Sequence, residues 1–200
     1  MRSLAELRRI AARWITEPLN VVLVKSRLKP NTLTWCALAI SLIAAATIAT
    51  KHPIISGFLV LLSGLFDILD GALARLTNQS TRFGAILDST FDRISDAVIL
   101  LGILILYMRS GGTVEIVLVF VALIVSLLTS YVRARAEGLS VNCPIGLFTR
   151  TERVIILALG LLFCPLYKFS IVIALLLVIV FGFVTVVQRL VYVWQQTRAK

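Results

Sequence analysis

Aspartates stand at positions 67, 70, 88 and 92 within a stretch that is otherwise almost wholly apolar: Asp67-Ile68-Leu69-Asp70-Gly71, then Gly84-Ala85-Ile86-Leu87-Asp88, with Asp92 four residues on. A single Asp at the centre of a membrane helix costs about 2.5 to 3.5 kcal/mol on insertion scales, so four of them demand neutralisation. Two divalent cations match four carboxylates in charge. All-oxygen ligation favours Mg²⁺, Mn²⁺ or Ca²⁺ over zinc, which prefers His and Cys, and the single histidine, His52, falls far from the acids. The competing reading pairs each acid with Arg75, Arg82 or Arg93. It accounts for two or three acids at most, and leaves unexplained why Gly71, Ala74 and Gly84 share their stripes.

Those stripes follow from helical phase. At 100° per residue, Asp67 and Asp70 lie about 60° apart, with Gly71 and Ala74 on the same face. Gly84, Asp88 and Asp92 repeat the arrangement at i, i+4 and i+8 on the following segment. Antiparallel packing of the two helices is expected to bring all four carboxylates together near one end, with the small residues clearing space for a ligand. Asp96 continues the second stripe by one turn, where it suits pairing with Arg93 or support of a metal ligand from behind.

The elements that must position these acids are membrane helices. Hydrophobic residues make up 59% of the 200 and mean hydropathy is +0.98, beyond the roughly 45 to 50% apolar usage of soluble domains. Apolar stretches begin near Pro30, His52, Phe83, Thr113, Thr151 and Lys168, each about 17 to 25 residues long, the length that crosses hydrocarbon as helix. The prediction is an all-α, polytopic integral membrane protein of six transmembrane helices. Residues 1–29 are expected to form a juxtamembrane segment, and 30–200 a single six-helix transmembrane domain. Within the first segment Leu4, Leu7, Ile10, Ala11, Trp14 and Ile15 oppose Arg8, Arg9 and Arg13, the pattern of an interfacial amphipathic helix, and no signal-peptide core precedes Pro30.

Of the 20 Lys and Arg residues, 16 fall at one side of this topology, against Lys51, Arg109 and Lys168 at the other, with Arg93 inside a span. Positive residues in short loops stay cytoplasmic, so both termini and the acid cluster are expected on the cytoplasmic face of the plasma membrane. The net charge of +10 fits attraction to anionic lipid headgroups and calls for no nucleic acid. Cys36, Cys143 and Cys164 lack metal or disulfide spacing and read as apolar filler. The sequon Asn78-Gln79-Ser80 lies on the expected cytoplasmic side, where no glycan is added.

The pattern D-x-x-D-G-x-x-A-R-x8-G-x-x-x-D-x-x-x-D, carried here by Asp67, Asp70, Gly71, Ala74, Arg75, Gly84, Asp88 and Asp92, resembles the signature of the CDP-alcohol phosphotransferases, and the six-span plan is similar throughout. The resemblance implies an enzyme in which an acceptor hydroxyl attacks the lipid-side phosphorus of a CDP-linked lipid and CMP leaves, with two Mg²⁺ or Mn²⁺ ions. It implies Asp67, Asp70 and Asp88 as metal ligands, and Asp92 as both ligand and general base. Arg75 would hold the diphosphate, Gly71, Ala74 and Gly84 would make room for the nucleotide, and Asn31 and Thr32 would touch its rim. It also implies a homodimer.

A second constellation concerns the acceptor. Arg133 and Arg135 in Ser130–Glu137, Arg150 and Arg153 in the run 150–153, and Arg189 gather guanidinium groups at the ends of three spans. Arginine forks bind phosphate oxygens bidentately, so they suggest an acceptor that itself carries phosphate. Within the family the set is similar to that of members acting on inositol 1-phosphate, with glycerol 3-phosphate the nearest alternative acceptor. Arg133, Arg135, Arg153 and Arg189 are the expected phosphate contacts, whereas Arg150 best fits a mere positive belt anchoring a helix end. Intramembrane prenyltransferases also use paired acidic motifs, but on separate repeats of a larger bundle. A cation transporter would show inverted repeats and dispersed polar residues, which this chain lacks.

Overall fold

The computed structural model describes residues 30–77 and 81–198. Among these residues the regular structure is wholly helical: α1 (Pro30–Ala49), α2 (Pro53–Leu76), α3 (Arg82–Ser110), α4 (Thr113–Gly138), α5 (Arg150–Leu162) and α6 (Ser170–Arg198). The expected amphipathic helix within 1–29 and the sequon at 78–80 lie outside the described residues.

Local chemistry sets the helix ends. Pro30 and Pro53 open α1 and α2 at positions where a missing N–H is harmless. Thr81 caps α3 by accepting the Gly84 N–H at 2.9 Å. Gly111, at φ 77°, closes α3 in the left-handed conformation that glycine adopts freely. The Thr149 N–H donates to the Glu152 carboxylate at 2.7 Å, which fixes the start of α5 and so the placement of Arg150 and Arg153.

The six helices pack as a closed ring in the order α1, α2, α5, α6, α4, α3 and back to α1. Inside the ring sits an apolar core that includes Ile48, Val60, Ile103, Leu161, Leu175 and Val178, all 1% exposed or less. Close approach rests on small residues. A Cβ on Gly102 of α3 would lie 2.7 Å from the Ala45 carbonyl oxygen of α1, and one on Gly160 of α5 would lie 2.6 Å from Ala174 of α6. Between α1 and α2, the buried Ser41 and Ser63 hydroxyls share a 2.7 Å hydrogen bond, and Ser63 also donates to the Ala37 carbonyl.

One expectation is corrected. The acid-bearing helices α2 and α3 do not lie alongside each other; each packs chiefly on α1, which wedges between them, so they converge only at their acid-bearing ends. The Gly102–Ala45 contact holds α3 close against α1. The stretch expected as a fifth span forms a helix of only 13 residues, followed by turns through 163–169. At 1.5 Å per residue it is shorter than a hydrocarbon core of about 30 Å. Four helices, α1, α2, α4 and α6, are long and apolar enough to cross a membrane. The α3 helix has the length at 29 residues, but Asp88, Asp92, Arg93 and Asp96 lower its apolarity. The chain is a multi-pass membrane protein built around these helices.

Candidate active site

All the chemistry-bearing residues named from the sequence that lie among the described residues fall at one end of the ring, formed by the start of α1, the end of α2, the start of α3, the end of α4, the start of α5 and the end of α6. Carboxylate oxygens of Asp67, Asp70 and Asp88 approach within 4.8 Å of one another. Asp70 is 3% exposed. No well-formed hydrogen bond reaches either of its carboxylate oxygens, or Oδ1 of Asp88. Unsatisfied buried carboxylate oxygens are expensive, and three converging acids repel one another. A hard divalent cation removes both penalties, so the donor set fits Mg²⁺ or Mn²⁺.

Asp92 lies outside that convergent trio. Arg150 reaches it from α5: Nη1 stands 2.5 Å from Asp67 and 2.9 Å from Asp92, while Nε is 3.3 Å from Asp96. Arg150 is therefore no belt residue; it is the cation at the centre of the acid cluster. The ion-pair alternatives through Arg75, Arg82 and Arg93 are not the ones formed, since among the described residues the acids pair with Arg150 and Arg153. Arg93 instead donates to the Ser89 carbonyl of its own helix. Asp96 pairs with α5 and not with Arg93.

On one side of the acids a cavity of about 180 Å³ is walled by Asn31, Gly71, Ala74, Arg75 and Gly84, with Asp70 and Asp88 at its edge. The space depends on the glycine at 84, where a Cβ would sit 3.0 Å from Thr81 Oγ1 and 3.6 Å from Asn31 Oδ1. Thr32, expected on this rim, does not line the cavity; Thr34 does. Helical phase explains the difference. Thr34 lies three residues after Asn31 and one turn after Pro30, whose carbonyl its hydroxyl bonds, so it shares their face. Thr32 is turned by about 100° from Asn31, and it is exposed.

On the other side a larger cavity, about 490 Å³, is lined by Asp88, Asp92 and Asp96 and by Arg133, Arg150, Arg153 and Arg189. Arg153 is 4% exposed; its Nη2 lies 2.8 Å from Asp96 and its Nη1 donates to Thr129 Oγ1 at 3.0 Å. Arg189 donates to the carbonyls of Ile145 and Thr129. Arg133 pairs with Glu137 at the exposed mouth. Arg135 does not line the cavity and is exposed. Thr129, which holds two of the arginines, escaped sequence reasoning although it lies four residues before Arg133 on the same face of α4.

One set of acids thus stands between a small cavity lined by Asn31, Gly71, Ala74, Arg75 and Gly84 and a larger one walled by guanidinium groups. The family model described as CDP-alcohol phosphatidyltransferase matches residues 27–193. The chain belongs to the CDP-alcohol phosphatidyltransferase family. It is therefore an enzyme of the phospholipid-synthesising, divalent-metal-dependent type. Its relatives include the archaetidylinositol phosphate synthase of Methanothermobacter thermautotrophicus, 37% identical over 167 residues that cover 83% of each chain. The phosphatidylinositol phosphate synthase of Mycobacteroides abscessus is 38% identical over 151 residues, 74% of this chain and 69% of that one. Among solved structures, the phosphatidylinositol phosphate synthase of Mycobacterium tuberculosis with CDP-DAG bound matches with a TM-score of 0.79 at 30% identity, covering 88% of this chain and 92% of that one. The same enzyme in complex with manganese and citrate matches at 0.78 and 31%, covering 88% of each.

Proposed function

We propose that this CDP-alcohol phosphatidyltransferase transfers a phosphatidyl-type group from a CDP-linked lipid, CDP-diacylglycerol or CDP-archaeol, to a hydroxyl of inositol 1-phosphate and releases CMP. The observation that carries the acceptor is the arginine-walled cavity beside the acids. The names of the relatives from three organisms support it.

In this reading Asp67, Asp70, Asp88 and Asp92 hold two divalent cations, Mg²⁺ or Mn²⁺, which when bound offset charge on the attacking and leaving oxygens of an in-line displacement. Asn31, Gly71, Ala74, Arg75 and Gly84 seat the CDP end of the donor. Arg153 and Arg189, with Arg133 at the mouth, hold the acceptor phosphate, and this orients the free hydroxyl toward the lipid-side phosphorus. Asp92, which lines the acceptor cavity, takes the hydroxyl proton. The new bond joins the acceptor oxygen to that phosphorus, and the bond to the CMP-side oxygen breaks with its electron pair leaving on CMP.

The wider topology belongs to the same proposal. The short α5 with its following turns and the charged α3 complete six crossings, and 30–200 act as one catalytic domain. The arginine-rich end faces the cytoplasm at the plasma membrane by the positive-inside rule. The family resemblance implies a homodimer, which light scattering of the detergent-solubilised protein would test.

The acceptor is tested by incubating purified protein, Mn²⁺ and CDP-diacylglycerol with inositol 1-phosphate, glycerol 3-phosphate, inositol or serine, and measuring CMP. Inositol 1-phosphate should give the highest kcat/KM. A preference for glycerol 3-phosphate would keep the reaction and change the acceptor, and a preference for inositol or serine would remove the phosphate role of the arginines.

A further inference from the structure

Asp96 is the acid of α3 that lies outside the convergent metal-ligand trio and outside the signature pattern, yet it touches two arginines. Its side chain is 12% exposed, and its two oxygens are divided: Oδ1 lies 3.3 Å from Arg150 Nε, and Oδ2 lies 2.8 Å from Arg153 Nη2. The two arginines are three residues apart on α5, so they share a face and repel each other. A carboxylate between them offsets that repulsion. The division has a second effect. Because Asp96 does not grip Arg153 with both oxygens, the Arg153 Nε–H stays buried without a partner, while Nη1 is tied to Thr129. A guanidinium N–H left unsatisfied beside a cavity is a donor held for a ligand anion.

We propose that Asp96 is the positioning residue for the acceptor: by splitting its carboxylate between Arg150 and Arg153 it aims Arg153 at the acceptor phosphate and restrains Arg150, which otherwise answers only to Asp67 and Asp92. This rests on the reading of the arginine-walled cavity as the acceptor site.

Two substitutions disturb the division in different ways. Asp96→Asn leaves one acceptor oxygen and sets an amide N–H₂ against a guanidinium, so one arginine is released. Asp96→Glu keeps the charge but lengthens the arm, allowing both oxygens onto Arg153 and consuming its Nε–H. Each should raise the KM for inositol 1-phosphate about tenfold and weaken its direct calorimetric binding alike, while the KM for CDP-diacylglycerol stays within about twofold. In an Arg153→Gln background, Asp96→Asn should add less than about threefold, because the contact that aims Arg153 is already gone and only the restraint on Arg150 is left to lose.

A purely structural Asp96 would lower thermal stability and the active fraction without separating the two KM values. Equal shifts in both KM values, an unchanged acceptor KM in either variant, or full additivity with Arg153→Gln would overturn the proposal. If Asp96→Asn does not fold, Asp96→Glu decides by itself, since it retains the buried countercharge. Wild-type protein that uses inositol and rejects inositol 1-phosphate would contradict the acceptor reading; wild-type protein that uses inositol 1-phosphate while both variants keep its KM would contradict the role of Asp96 alone.

Discussion

Arg150 Nη1 lies 2.9 Å from a carboxylate oxygen of Asp92. The same nitrogen is 2.5 Å from Asp67, so one guanidinium from α5 neutralises acids of α2 and α3 together. An oxygen lone pair that accepts from Arg150 is not free to ligate a cation, and a nearby positive charge repels one.

Replacing Arg150 therefore has opposite effects on metal and on turnover. Arg150→Gln should tighten Mn²⁺ binding about tenfold, as a removed like charge predicts, while kcat/KM for the acceptor falls. Electron paramagnetic resonance of free Mn²⁺ during titration reads the first and CMP release the second. Unchanged Mn²⁺ affinity would show that Arg150 does not compete for Asp67 and Asp92.

Asp70 is buried with both oxygens unsatisfied. Asp70→Asn removes a desolvated charge that only a cation compensates, so without added metal the variant should be at least as stable as the parent. It should lose the rise in melting temperature that Mn²⁺ gives the parent, and CMP release should fall about a hundredfold to a thousandfold. Differential scanning fluorimetry with and without EDTA makes the comparison.

The glycines of the smaller cavity are predicted to differ. A Cβ on Gly71 would stand 3.5 Å from Arg75 Nη1, an ordinary contact with a flexible side chain, whereas one on Gly84 would crowd Thr81 Oγ1 at 3.0 Å. Gly71→Ala should raise the KM for CDP-diacylglycerol by about threefold, and Gly84→Val should raise it more than about tenfold, with the acceptor KM unaffected by either.

The α1–α3 seam is a separate test of the fold. A Cβ on Gly102 would lie 2.7 Å from the Ala45 carbonyl oxygen and 2.8 Å from its Cα, both backbone atoms. Gly102→Ala should destabilise by about 1 to 3 kcal/mol, the usual effect of overpacking, seen as a lower melting temperature in detergent with no change in relative acceptor preference.

The aspartates and their glycines were legible in the sequence because helical phase is a local property: positions i, i+3 and i+4 share a face whatever the helix packs against. Asn31, Gly71, Ala74, Arg75 and Gly84 duly line one cavity, and Arg133, Arg153 and Arg189 another. Contacts between helices were not legible. No spacing reveals that α1 separates α2 from α3, since that depends on which helices meet across the ring. Nor does spacing reveal that Arg150 enters the acid cluster while Arg135 faces away from the cavity; Arg150 is set by the capped start of α5, 54 residues from Asp96. The length of α5 misled for a related reason, because apolar residues continue past Leu162 while the helix does not.

The proposed metal-dependent transfer onto a phosphorylated acceptor joins these acids and arginines in one reaction. Its most direct measurement follows CMP and lipid product together, by chromatography and mass spectrometry, when purified protein meets CDP-diacylglycerol and inositol 1-phosphate. The prediction is one CMP for each inositol-phosphate-bearing lipid formed, no product in EDTA, recovery with Mn²⁺ or Mg²⁺, and none with Asp92→Asn. Product formed at an undiminished rate in EDTA, or CMP released without any phosphate-bearing lipid, would contradict it.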